Sequence, residues 1–256
     1  MSNVKGIILA GGDGTRLKPM TDLISKQLLP VYNKPMIFYP LSVLIQADIK
    51  DILIITKPNE LDNFKKILGD GSNWGVKIDY LSQKKPSGIA EAFIIAREWL
   101  NNSKSLLILG DNLFFGLGLK KILINAFKKN IGATIFGYQV SDPERYGVVK
   151  FNSDNEILSI KEKPKSPDSN WAVTGLYYYD ENAPEIANNL IPSKRGELEI
   201  TDLNNVYLAK GQLNIELLGK GFTWLDTGTP DSLLEASNFV KIIETRQGLS
   251  IGDPSY

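Results

Sequence analysis

The stretch VKGIILAGGDGTRLKP (Val4–Pro19) decides how the chain folds. An apolar run from Gly6 to Ala10 stops at Gly11 and Gly12, and Gly14, Thr15 and Arg16 follow at once. Such a run, closed by glycines, predicts a strand buried on both faces, as a parallel sheet requires. The glycines admit positive φ and let a ligand approach the main chain. Successive amide N–H groups there form an anion-binding concavity, to which Arg16 adds a forked, permanent charge. The guest this arrangement expects is a triphosphate. Two other phosphate loops do not fit. A dinucleotide fingerprint would need glycine at Leu17, and a Walker A loop would need Gly-Lys-Ser/Thr where Gly14-Thr15-Arg16 stands.

Outward from this loop, strand-like runs recur at Asp51–Thr56, Val76–Leu81, Ser105–Leu109 and Ala133–Val140. Helical periodicity fills the gaps at Pro35–Ala47, Glu60–Leu68, Gly88–Leu100 and Leu119–Lys128. This alternation predicts an α/β fold with a mostly parallel sheet and helices on both faces, its ligands at the carboxyl ends of the strands. After about Ser141 the rhythm changes to strands at Tyr146–Phe151, Ile157–Lys161 and Ala172–Tyr179, which predicts a small β-rich lobe. Helices return at Pro184–Leu190, Glu199–Ala209 and Pro230–Thr245. We read a single domain over 1–256, with one part to about 140, a second over about 141–228, and a C-terminal helix and tail over 229–256.

Composition narrows the chemistry. The 256 residues carry 29 basic and 29 acidic side chains, so no general affinity for nucleic acid or an anionic membrane is expected. Cysteine and histidine are both absent, which excludes thiolate nucleophiles, Cys/His zinc sites and imidazole acid–base catalysis. Carboxylates, lysine, arginine, backbone amides or a hard metal ion must do the work. No signal-peptide pattern heads the chain and no apolar run approaches about 20 residues, so a cytoplasmic protein is expected.

GIILAGGDGTRLKPMT followed by SKQLLPVYNKPMI (Ser25–Ile37) resembles the signature of the sugar-1-phosphate nucleotidyltransferases, in particular their thymidylyl-transferring members. The likeness continues through LGDGSNWG (Leu68–Gly75), LGDNLFFG (Leu109–Gly116), DPERYGVV (Asp142–Val149), IKEKPKSPDSNWAVTGLYYYD (Ile160–Asp180), RGELEITDLNN (Arg195–Asn205), WLDTGTPDSLLEAS (Trp224–Ser237) and IETRQG (Ile243–Gly248). The resemblance implies the nucleotide-diphospho-sugar transferase fold, with a nucleotide-binding part to about 140 and a sugar-phosphate-binding lobe over about 141–228. The implied reaction joins dTTP and glucose 1-phosphate into dTDP-glucose with loss of pyrophosphate. A phosphate monoester, with a second pKa of about 6, is already mostly a dianion at neutral pH, so its attack on the α-phosphorus needs no general base. Charge cancellation and positioning carry such a reaction.

The resemblance also implies roles. Leu9, Gly11, Gly12, Gly14, Thr15, Arg16 and Lys26 bind the nucleotide, with Gln27, Gln83, Pro86 and Gly88 on the base. Glutamine amides suit the donor–acceptor edge of thymine or uracil. On spacing alone Asp111 and Asp226, each near a glycine, also fit turns; the resemblance makes them the carboxylates that hold Mg²⁺. Arg16, Lys163, Asp111 and Asp226 are the implied catalytic groups. Asn112, Tyr146, Gly147, Glu162, Lys163, Val173 and Arg195 form the sugar-phosphate set. Departures are specific: Ser87 replaces the family's usual aspartate and Ile89 its leucine, which bears on base and sugar preference. Leu117 and Lys220 stand where a second, regulatory nucleotide-sugar site usually has histidine and arginine, and the run past Gly248 is shorter than in relatives. Weak or absent feedback inhibition is therefore expected, with a homotetramer or homodimer as the assembly. Uridylyl transfer, another hexose 1-phosphate, or a non-catalytic sensor of nucleotide sugars are the competing readings.

Overall fold

The structure, a computed structural model, describes residues 4–129, 131–154 and 156–255. The chain forms two compact units interleaved in sequence. One holds Lys5–Pro86, Ile108–Lys120 and the residues from Gly221 on; the other holds Ser87–Leu107 and Lys121–Lys220.

In the first unit, strands β1 (Val4–Ala10), β4 (Asp51–Thr56) and β5 (Lys77–Ser82) run parallel, with Ala10 opposite Thr56 and Thr56 opposite Ser82. Ile52 to Ile55 are wholly buried, as a continuous aliphatic run between two neighbours should be. Helix α1 (Phe38–Gln46) lies close on this layer: a Cβ at Gly6 would come within 2.7 Å of Leu44 Cδ1, so a larger residue would have to displace that side chain. Helix α2 (Leu61–Leu68) buries Phe64 and Leu68 and ends at Gly69, where φ is 58°. Two short ribbons complete the unit. One pairs β2 (Pro30–Val31) with β3 (Lys34–Pro35), the other β7 (Asn112–Phe115) with β13 (Thr223–Asp226), both antiparallel. Helix α8 (Pro230–Gln247) opens with a reciprocal cap between Thr229 and Ser232 and closes at Gly248. It buries Ala236 and Val240 against Leu17, Leu29, Val31, Met36, Tyr39 and Leu113. Glu244 on this helix accepts from Lys34 at 2.6 Å.

The second unit is built on β11 (Trp171–Tyr179), antiparallel to both β8 (Ala133–Gln139) and β9 (Gly147–Phe151). β10 (Ile157–Glu162) pairs antiparallel with β9, and β12 (Leu213–Leu218) joins β8 in parallel. Strand β6 (Lys104–Leu109) begins in this unit and ends in the first, where the N–H of Gly110 donates to the Leu9 carbonyl at 2.9 Å. Helix α5 (Leu119–Phe127) follows the same connection. The expected helix over Gly88–Leu100 is two short ones, α3 (Glu91–Ile95) and α4 (Arg97–Leu100), broken at Ala96. β12 falls where no element was expected. Helices α6 (Ala183–Asn188) and α7 (Ile200–Ala209) complete the unit, whose core sets Phe93 edge-on to Tyr179 at 5.0 Å. Among the described residues no helix is long and apolar enough to cross a membrane.

Candidate active site

The glycine loop of the first unit has the openness its sequence promises. Nothing lies within 4 Å of a side chain placed at Gly12, which leaves bare main chain exposed. At Gly11 a Cβ would collide with Oε1 of buried Gln83, so the glutamine amide rests on the loop backbone itself. Gly14 has φ 61°, and its carbonyl accepts from the Thr21 hydroxyl at 2.8 Å and from the N–H of Leu17 at 2.9 Å. The single helical turn Thr15–Leu17 buries Leu17 and leaves Thr15 and Arg16 exposed. The Arg16 guanidinium lies against Gly228, where a Cβ would stand 2.7 Å from Nη2. Asp13, between two of the glycines, pairs with Lys57 at 2.7 Å.

The β7–β13 ribbon sets the backbones of the two aspartates close together. Its register sets Asp226 opposite Asn112, the neighbour of Asp111. Thr227 ties the end of the ribbon, its N–H (3.1 Å) and hydroxyl (2.8 Å) both donating to the Asp111 carbonyl. Lys26 forms an ion pair with Oδ2 of Asp111, and Asn112 donates to Oδ1 at 2.8 Å. Asn112 is held in turn by Trp224, whose ring N–H donates to its Oδ1 at 2.6 Å. Burial disfavours the charged form of Asp111, but the Lys26 charge and the two hydrogen bonds outweigh it and hold the carboxyl below its ordinary range. Gln27, also buried, accepts from the Ser25 hydroxyl at 2.7 Å, and its Cγ lies 2.9 Å from where a Gly110 side chain would begin. Leu9, Gln27, Lys26 and Asp111 therefore share one place, and exposed Pro86 closes the unit's first segment.

Among the described residues no three histidine, cysteine or acidic side chains gather as a metal cluster. Two neighbouring aspartates are the available hard-oxygen donors. That set fits Mg²⁺, which takes one or two carboxylates and completes its shell with water and substrate phosphates.

In the second unit the sugar-side candidates collect around Glu162. Thr201 donates to its Oε2 at 2.6 Å, and Lys163 and Arg195 approach its Oε1 at 3.7 and 4.0 Å. Gly147 adjoins it, with Glu162 Oε2 at 3.6 Å and Val173 at 3.7 Å from a would-be Cβ. The carbonyl of Tyr146 accepts from the N–H of Lys163 at 2.9 Å, and Lys163 holds the uncommon φ of 41°. Arg195 is bidentate to Glu199 and 3.2 Å from Glu197. Gly88 also belongs to this unit. Its φ is 106°, and any Cβ would strike the Leu198 backbone, which bonds to Ser87 (2.7 Å) and Ala90 (3.1 Å) on either side of it.

Sequence reasoning did not single out Thr227, Trp224, Thr201, Glu199 or Lys57. The first four lie inside WLDTG and RGELEITD, beside residues it did choose; Lys57 carried no signal.

Residues 5–242 match the family model described as nucleotidyl transferase. The chain is 56% identical to the glucose-1-phosphate thymidylyltransferase of Neisseria gonorrhoeae over 97% of its own length and 86% of that protein's. It is 53% identical to the protein of the same name from Mycolicibacterium smegmatis, over 98% and 87%. Among solved structures it is similar to a Bacillus anthracis protein assigned as a glucose-1-phosphate thymidylyltransferase and crystallised with sucrose, at TM-score 0.86 and 41% identity over 92% of this chain and 94% of that one. A UDP-glucose pyrophosphorylase bound to UDP-glucose aligns at TM-score 0.79 and 26% identity, over 96% and 100%.

Proposed function

The chain belongs to the nucleotidyl transferase family, and we propose that it transfers a thymidylyl group from dTTP to α-D-glucose 1-phosphate, giving dTDP-glucose and pyrophosphate. The relatives' names support the substrates. The observation that carries the chemistry is the β7–β13 register, which brings Asp226 beside Asp111 while Lys26 sits on one carboxylate and Arg16 on the turn after the other.

The first unit's residues take the nucleotide. The glycine loop from Gly11, bare at Gly12, receives the triphosphate with Arg16 and Lys26, and the amides of Gln27 and Gln83 read the base edge. Pro86 and Gly88 line the same base, Gly88 through main chain that no other residue could supply. Asp111 and Asp226 would hold Mg²⁺, which would supply charge neutralisation and Lewis acidity for the phosphates. Lys163 and Arg195 hold the sugar phosphate, Glu162 takes sugar hydroxyls, and Tyr146, Gly147 and Val173 shape the pocket. A dianionic phosphate oxygen of the sugar attacks the α-phosphorus in line, the bond to the β-phosphate oxygen breaks, and Arg16 stabilises the departing pyrophosphate. No proton need move, so the absence of histidine is no obstacle. The product is an activated hexose of the kind that dTDP-deoxysugar synthesis consumes. We place the enzyme in the cytoplasm as a homotetramer or homodimer.

The test is pyrophosphate release from dTTP, UTP and other NTPs crossed with a panel of sugar 1-phosphates, with and without Mg²⁺. Release should be fastest with dTTP and glucose 1-phosphate and should vanish with EDTA. Equal rates for all sugars, or EDTA-insensitive release, contradict the reading. Faster release with UTP would make it a uridylyltransferase.

A further inference from the structure

Glu199 stands at the position before helix α7 where a side chain ordinarily caps the first turn, yet its carboxylate makes no bond to the helix. It turns back to Arg195 instead. Nε donates to Oε1 at 3.2 Å, and Nη2 donates to Oε1 at 2.8 Å and Oε2 at 2.9 Å. The Ser193 hydroxyl donates to the same Oε1 at 2.8 Å. The loop beneath is tightly tied. Arg195 N–H donates to the Ser193 hydroxyl at 3.2 Å, Ser193 N–H to the Glu197 carbonyl at 2.8 Å, and Leu198 N–H to the Ser87 carbonyl at 2.7 Å. The Glu199 side chain is only 12% exposed while that of Arg195 is 47% exposed, so the fixed partner is the carboxylate. Glu197 and Glu162 also approach Arg195 through Nη2. Among the described residues nothing bonds to Nη1.

We propose that Glu199 is a positioning residue for the sugar phosphate: by gripping the Nε–Nη2 edge of Arg195 it fixes the guanidinium plane and presents Nη1 to a phosphate oxygen. This rests on the reading of Arg195 as a sugar-phosphate ligand. An arginine left to rotate must be ordered each time substrate binds, whereas a clamped fork is already ordered. The opposite relation, in which Glu199 competes with the phosphate for Arg195, predicts the reverse sign.

The experiment compares wild type, Glu199→Gln, Glu199→Asp, Arg195→Ala and the double variant Glu199→Gln/Arg195→Ala, all with dTTP, Mg²⁺ and glucose 1-phosphate. Glutamine keeps one acceptor for Ser193 and Arg195, so the fold should survive, and melting curves check this. KM for glucose 1-phosphate should rise about tenfold in Glu199→Gln, the loss of one charge-assisted bond. KM for dTTP should stay within about twofold. Glu199→Asp should recover part of the loss, and the double variant should be no worse than Arg195→Ala. An unchanged or lowered KM in Glu199→Gln, or additive losses in the double variant, overturn the assignment. A wild type that releases no pyrophosphate sinks the transferase reading and the assignment with it. An active wild type with an unresponsive Glu199→Gln sinks the assignment alone.

Discussion

In the first unit, Lys26 is buried against the carboxylate of Asp111, with side chains 9% and 21% exposed. In the second unit, Lys163 and Arg195 are 51% and 47% exposed and stand among Glu162, Glu197 and Glu199. The buried pair is indispensable to its surroundings, because removing either partner strands an unpaired charge in a low-dielectric place. In the open cluster Glu199, 12% exposed, clamps one edge of Arg195, while the Lys163–Glu162 pair at 3.7 Å lies in water, is individually weak and can be exchanged for a substrate's oxygens. The chain thus keeps a buried charged centre for the reacting phosphates and a half-open one, held from one side, for the sugar phosphate.

The largest effect that sharpens this contrast is Asp111→Asn. Turnover should fall about 10³-fold, as when a transition-state charge stabiliser is removed. The melting midpoint should fall as well, because buried Lys26 loses its countercharge. Pyrophosphate release and a thermal melt read the two consequences, and a variant that melts normally breaks the contrast. Next comes Lys163→Ala. KM for glucose 1-phosphate should rise about tenfold, the cost of one charge-assisted contact, with KM for dTTP and the melting midpoint unchanged. A lowered midpoint there would show that the second cluster is as structural as the first.

The smallest effect tests a carboxylate outside both clusters. Burial disfavours ionised Glu244, but Lys34, the Ile251 N–H and Asn33 overcome this and lower its pKa. A lowered folded-state pKa stabilises the fold above the ordinary glutamate value and loses that contribution as pH falls through the folded one. Glu244→Gln should therefore cost about 1 kcal/mol at pH 7 in denaturant titrations. The gap should close progressively as pH falls below about 4.5. A gap that stays constant with pH contradicts it.

Strand β1 and its loop could be read from the sequence because their requirements are local: a buried aliphatic run, then glycines for a close approach at Gly11, open main chain at Gly12 and a positive φ at Gly14. The β7–β13 pairing could not. NLFF and TWLD are four residues each, too short for a period to register, and over a hundred positions apart. Without that pairing, Asp111 and Asp226 look more like turn residues than ligands, and only resemblance puts them together. β12, LNIELL, was overlooked because Asn214 and Glu216 interrupt its apolar run. The helix drawn over Gly88–Leu100 breaks at Ala96, where nothing in the residue types marks a stop. Glu199 went unnoticed for a related reason: an acidic residue before a helix reads as a cap, and only the folded loop shows its carboxylate turned toward Arg195.

The β7–β13 ribbon has a practical corollary. Phe115 and Thr223 face each other at one end of it, and the stretch between them contains every sugar-side candidate from Tyr146 to Arg195. That stretch is not the whole unit: Ser87–Leu107 belongs to it too, with Phe93 edge-on to Tyr179 and the Ser87 carbonyl accepting from the N–H of Leu198. An acceptor-side graft from a relative that prefers another hexose must therefore carry Ser87–Leu107 along with the stretch spliced beside Phe115 and Thr223, while the triphosphate loop's own sequence stays untouched.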